Sequence, residues 1–89
     1  MRTPIFLTRF KKDIKRQKKR NKKPEKITEI INYICENGDA PSTSRPHNLI
    51  GNWVGFRECH IEPDWLLIFQ VSEKTVTFFA TGTHSDLFR

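Results

Sequence analysis

The stretch Glu62-Pro63-Asp64-Trp65-Leu66-Leu67-Ile68-Phe69-Gln70-Val71 decides the architecture. Trp65 to Val71 is nearly all apolar over the length of one strand, as in a central strand covered on both faces. Glu62-Pro63-Asp64 is the turn before it. Ahead of that turn, Val54 to Ile61 alternates loosely. It places Phe56, Glu58 and His60 on one face and Arg57, Cys59 and Ile61 on the other. After Val71, Ser72-Glu73-Lys74 is a second turn and Thr75 to Thr81 a third strand. Gly82 ends that strand, and a short tail follows.

Working back from this sheet, Asp39 to Asn48 holds Pro41, Ser42, Ser44 and Pro46 and reads as a loop. Ile27, Ile30, Ile31 and Ile34 recur at i, i+3, i+4, i+7, the apolar face of a helix. Pro24 suits its first turn and Asn37-Gly38 its end. A longer, thinly apolar helix precedes it, with Phe10, Ile14 and Gln17 at helical spacing and Thr8 as the candidate cap. Asn21-Lys22-Lys23 separates the two helices. Arg2 to Thr8, rich in Ile and Phe, reads as a strand. The expected fold is α+β: two N-terminal helices packed on a mostly antiparallel sheet, in the order β-α-α-β-β-β. At 89 residues the chain is expected to be a single domain, residues 1–89, with one modest core.

The charge is unevenly placed. Residues 1–27 hold 12 basic and 2 acidic side chains, whereas residues 28–89 hold 4 basic and 8 acidic. A segment this basic attracts a polyanion: nucleic acid, an acidic protein or an anionic membrane. It is also the composition of a solvated helix face. Cys35 and Cys59 are too few for a disulfide framework and read as buried thiols in a reducing compartment. The run Pro4-Ile5-Phe6-Leu7 is too short for a signal h-region, and no stretch is long enough to span a bilayer. A cytoplasmic protein without membrane partners is expected.

All three histidines, His47, His60 and His84, fall in the second half. Imidazole exchanges a proton near neutral pH. RNA cleavage through the 2′-OH needs a base, an acid and charge stabilisation at the phosphorane. Two imidazoles flanking a phosphate fill the first two roles, and a carboxylate such as Asp64 orients one of them. Trp65 and Phe88 are candidate platforms for bases. Each also has a plain reading: Trp53 and Trp65 as core aromatics, Asp64 as a turn residue, Phe88 as a C-terminal pin, the histidines as surface groups. Cys35, His47, Cys59, His60 and His84 lack metal-ligand spacing, so no metal and no cofactor are expected.

The run from His47-Asn48-Leu49-Ile50-Gly51-Asn52-Trp53-Val54-Gly55-Phe56-Arg57-Glu58-Cys59-His60 through Ile61-Glu62-Pro63-Asp64-Trp65 to Phe69 resembles the YafQ branch of the RelE/ParE toxin superfamily. The ending Thr81-Gly82-Thr83-His84-Ser85-Asp86-Leu87-Phe88 matches it too, and the resemblance covers nearly the whole chain. It implies a bacterial type II toxin that enters the A site of the 70S ribosome and cleaves mRNA there, without a metal. It also implies a cognate antitoxin, with operator DNA bound only through the toxin–antitoxin complex. Carried over by position, the implied active-site set is His47, His60, Asp64, His84 and Phe88, with Trp65 beside it. His84 is the implied acid, His60 or His47 the base or a stabiliser of the phosphorane, and Asp64 tunes an imidazole. Lys11, Lys12, Lys15, Arg16, Lys18, Lys19, Arg20, Lys22 and Lys23 on the basic helix and its end would grip RNA.

The chain departs from the branch at Ala80. Relatives often carry Arg there, facing the scissile phosphate. Loss of such a cation removes about 2–4 kcal/mol of transition-state stabilisation, by analogy with a lost oxyanion donor. Ala80 therefore admits a weak nuclease, a second cation elsewhere, or a disarmed variant. Two other functions stay open. A ParE-like gyrase poison would induce DNA damage and leave mRNA intact. A non-catalytic RNA- or ribosome-binding module would bind in a salt-sensitive way and cut nothing.

Overall fold

A computed structural model of the chain describes residues 1–88. Its elements are β1 (Thr3–Phe6), α1 (Thr8–Lys19), α2 (Pro24–Asn37), β2 (His47–Asn48), β3 (Arg57–Glu62), β4 (Trp65–Val71), β5 (Thr75–Gly82) and α3 (His84–Leu87), with 3-10 turns at Ser42–Ser44 and Gly51–Trp53. The strands form one sheet in the order β1-β5-β4-β3-β2. β1 runs parallel to β5, and the other neighbours are antiparallel. The expected α+β class and mostly antiparallel sheet are observed.

β4 occupies the middle of the sheet, and its residues 65–69 are buried, as its continuous apolar run requires. One face packs Trp65, Leu67, Phe69, Val76 and Phe78 against Phe10 of α1 and Ile27 and Ile34 of α2. The opposite face carries Leu66, Ile68 and Ala80, covered by Leu87 of α3 and by Leu49, Trp53, Phe56 and Phe79. α2 ends at Gly38, whose φ of 79° suits a residue without Cβ, and its N–H donates to the Ile34 carbonyl at 2.7 Å.

Several expectations are corrected. Thr8 is the first helical residue of α1; Leu7 takes the cap position, with no side-chain cap bond. The strand before the turn begins at Arg57, because Gly55 has a φ of 96° and the Phe56 N–H turns back to the Trp53 carbonyl. Two elements were not expected. His47–Asn48 adds a two-residue strand to β3, and the tail folds into α3, capped by Thr83. Gly82 is the last residue of β5 and does not break it. A Cβ on Gly82 would lie 2.8 Å from Asp86 Oδ2, so the turn into α3 needs glycine for its close approach.

Two bulges set which side chains reach the second face. The β4–β5 register shifts so that Phe79 is extra, which moves Ala80 opposite Ile68 and away from the helices. The β3–β4 register shifts at Ile61, next to His60. Beyond Phe78, β1 no longer covers the edge of β5, and the Thr81 N–H donates to Asp13 on α1 at 3.2 Å. Burial raises the Asp13 carboxyl above its usual range, against the opposing pull of that N–H and of Arg9 and Arg16.

Candidate functional site: a row of histidines on the second face

β2, β3 and α3 bring the three histidines into one row. The His47 and His60 ring centroids are 6.3 Å apart, and those of His60 and His84 are 6.0 Å apart. Each ring has a different second partner. His60 Nδ1 lies 3.3 Å from the Pro63 carbonyl in the following turn. A carbonyl only accepts, so Nδ1 is the N–H that faces it, and Nε2 has no hydrogen-bond partner among the described residues. His84 Nδ1 lies 2.7 Å from Asp64 Oδ1, which also accepts the His84 backbone N–H at 2.9 Å. These two bonds, the backbone one first, hold the Asp64 carboxyl below its usual range. The carboxylate therefore orients His84, twenty residues away in sequence, and not the adjacent strand histidine. His47 Nδ1 faces the Arg45 carbonyl at 3.1 Å and Nε2 faces Glu58 Oε1 at 3.2 Å.

Phe88 is 40% exposed and meets Trp53 edge-on at 6.0 Å. Trp53 in turn packs edge-on against Phe56 and Phe79. The result is an aromatic cluster with one ring open to solvent. The Arg9 guanidinium caps it, 5.3 Å from the Phe79 ring and 5.9 Å from Trp53. Sequence reasoning gave Trp53 no role at the site; Gly51 and Gly55 on either side, both with positive φ, were the available signal for a structured loop. Ala80 is fully buried beneath this cluster, so its position supplies no charge.

Trp65 is corrected. It is 1% exposed on the helix face, and its indole N–H donates to Thr81 Oγ1 at 2.9 Å. No base reaches it. The basic residues divide into two groups. Arg20 donates twice to Asp86, at 2.6 and 3.1 Å, and Arg16 approaches the same carboxylate at 4.0 Å. Lys22 and Lys26 hold Glu62 at 2.9 and 2.8 Å. Lys11, Lys12, Lys15, Lys18, Lys19 and Lys23 are exposed and make no ion pair among the described residues.

Asp86, quoted in the terminal motif but given no role, proves structural. It accepts the Thr83 N–H at 2.9 Å and completes a capping box on α3, which carries His84. The Arg20 guanidinium, and then the Thr83 bonds, hold its carboxyl far below the usual range, against burial. The sign follows from that depression. Its stabilising effect is full above the unfolded value of about 3.9 and drains away as pH falls below it. Asp86→Asn is expected to lower stability at pH 7 by about 1–2 kcal/mol, the range of a lost cap. Urea midpoints at pH 7 and pH 3 check this: the gap between the two pH values should shrink in the variant. An unchanged gap would show that Asp86 does not anchor α3.

The described residues hold no three His, Cys, Asp or Glu side chains arranged as metal ligands. No described helix is long and apolar enough to cross a membrane. Both cysteines are free and buried, and burial pushes the Cys59 thiol up to about 12.

Two long helices, α1 and α2, on one face of a mixed sheet, with histidines and carboxylates at the edge of the other, define a small RelE-like toxin fold. The chain belongs to the YafQ family, the bacterial toxins of type II toxin–antitoxin systems, whose sequence model matches residues 2–89. It is 38% identical over 80 residues to the mRNA interferase toxin YafQ of Escherichia coli K12, covering 89% of this chain and 87% of that protein. The crystal structure of YafQ from E. coli BL21(DE3) superposes with a TM-score of 0.92 at 33% identity, over the whole of both chains. YafQ in the E. coli DinJ–YafQ toxin–antitoxin complex superposes at 0.90 with 35% identity, over 99% of this chain and 98% of that one.

Proposed function

We propose that this chain is a ribosome-dependent, metal-independent endoribonuclease that cuts mRNA in the A site. The observation that carries the reading is the His60–His84 pair. The rings stand 6.0 Å apart, each with Nδ1 tied back and Nε2 unbonded among the described residues. His60, with its lone pair on Nε2, removes the 2′-OH proton. The 2′-oxygen attacks phosphorus, and His84 protonates the leaving 5′-oxygen from Nε2. Two imidazoles handle both proton transfers, so the chemistry requires no metal. Phe88, backed by Trp53, stacks on a neighbouring base. A groove of about 350 Å³ runs from His60 past Tyr33 and Ser44, between α2 and β3, and gives the RNA a path away from the site. The family membership, and the DinJ complexes of its E. coli relative, support neutralisation by a cognate antitoxin. We place the protein in the bacterial cytoplasm, with operator DNA reached only through that complex.

The test is in vitro translation of a defined mRNA followed by primer extension. Cleavage within the A-site codon is expected, and intact mRNA at high protein would sink the reading. The buried, uncharged Ala80 favours one alternative, a ribosome binder without turnover. That alternative predicts salt-sensitive ribosome binding and no cleavage products.

The six lysines that make no ion pair among the described residues are the proposed grip on ribosomal RNA. Replacing Lys12, Lys15 and Lys19 by Gln is expected to reduce the slope of log affinity against log salt by roughly 2–3, from the counterions each contact releases. Arg20→Gln should change the slope little and lower stability, because Asp86 already occupies that guanidinium. A filter-binding salt series separates the two. Equal slopes for the triple variant and the parent would remove α1 from the interface.

A further inference from the structure

Glu58 is a carboxylate on the histidine face that the proposed acid–base cycle leaves unused. Its register places it between Ile68 of β4 and His47 of β2, in the same cross-strand row as Ala80. Its side chain is 6% exposed, and Oε2 is buried without a hydrogen-bond partner. A buried carboxylate that keeps its charge needs a cation within reach. Among the described residues, the charged or chargeable donor within 4 Å is His47, at 3.2 Å. The groups facing His47 are Glu58 from β3, the Arg45 carbonyl from its own loop, and the His60 ring at 6.3 Å.

We propose that Glu58 is a positioning residue that holds His47 as a doubly protonated imidazolium, the cation that stabilises the phosphorane where position 80 supplies none. The Arg45 carbonyl can only accept, so Nδ1 of His47 is an N–H. Nε2 lies 3.2 Å from Glu58 Oε1, an ion-pair distance, and a proton on that nitrogen is what would supply the cation this buried carboxylate faces. With neither nitrogen carrying a free lone pair, His47 is not the general base, which leaves that role to His60. The imidazole is 49% exposed, so it is ordered from below and open to RNA from above. Glu58 itself, out of solvent, never meets the phosphate and acts only through His47.

The inference rests on the cleavage reading for its catalytic part, and two measurements keep the two separable. The first is the ring ¹⁵N spectrum of His47 in the intact protein at neutral pH. Two protonated ring nitrogens are expected in the parent, and one unprotonated nitrogen in Glu58→Gln. A neutral His47 ring in the parent overturns the proposal whatever the nuclease activity. The second is single-turnover cleavage on programmed ribosomes. His47→Ala is expected to lose about 100-fold, the scale of a removed oxyanion donor. His47→Arg keeps a cation but has no basic lone pair, and is expected to stay within about 10-fold of the parent. His47→Arg as inactive as His47→Ala overturns the proposal. If His60→Ala and His84→Ala both cleave normally, the cleavage reading itself fails, while the ring spectrum still reports the charge on His47.

Discussion

His84→Ala is expected to lower single-turnover mRNA cleavage by about 10²–10⁴-fold, the contribution of one positioned acid or base. Ribosome binding should be unchanged. The imidazole projects from α3, whose cap is made by Thr83 and Asp86 and not by His84, so the helix survives the substitution. Asp64→Asn should give a smaller loss. The amide can still meet the ring, but without the negative charge that favours a ring protonated on both nitrogens, the form that can give its Nε2 proton to the leaving oxygen. Toxicity in cells should follow the same order. Cleavage at the parental rate by His84→Ala would show that the row of histidines is not the reacting centre.

Trp65→Ala is expected to cost about 3–5 kcal/mol of stability, the range for truncating a large buried aromatic. A domain of this size holds only roughly 5–15 kcal/mol in total. Trp65 fills the core between β4 and the helices and has no exposed edge to offer a base. Trp65→Phe should be mild, losing mainly the 2.9 Å bond to Thr81, worth about 1 kcal/mol. Urea unfolding checks both. A Trp65→Ala protein with a parental midpoint and weakened RNA binding would restore Trp65 to the binding surface.

Trp65 also shows how reading along the chain misplaces a residue. It follows Asp64 directly, and that adjacency suggested a shared site. In the folded chain Asp64 sits in the hairpin turn and bonds to His84, whereas Trp65 opens β4 and packs against the helices. A strand sends consecutive side chains to opposite faces, and the bulge at Ile61 resets the count just before this turn. Arg20 and Lys22 teach the same lesson. By composition they belong to the basic run, but each is committed to an internal carboxylate, Asp86 and Glu62. The missed elements were the short ones. A two-residue strand has no period to detect. α3 spans a single turn, although Thr83 with Asp86 three places on was a readable cap signal.

Local order was legible in the chain. The isoleucine stripe of α2, the apolar run of β4 and the breaks at Asn21, Gly38 and Pro63 rest on backbone preference and burial, which act over a few residues. The inventory of histidines and the basic segment were legible for the same reason. Partnership was not. Which carboxylate orients His84, which one lies under His47, and which guanidinium anchors α3 are contacts between segments far apart in sequence. Those contacts depend on sheet order, on two one-residue bulges and on a single turn of helix at the C-terminus. No periodicity encodes them, because they exist only once the strands have paired and one face of the sheet has been covered by the helices.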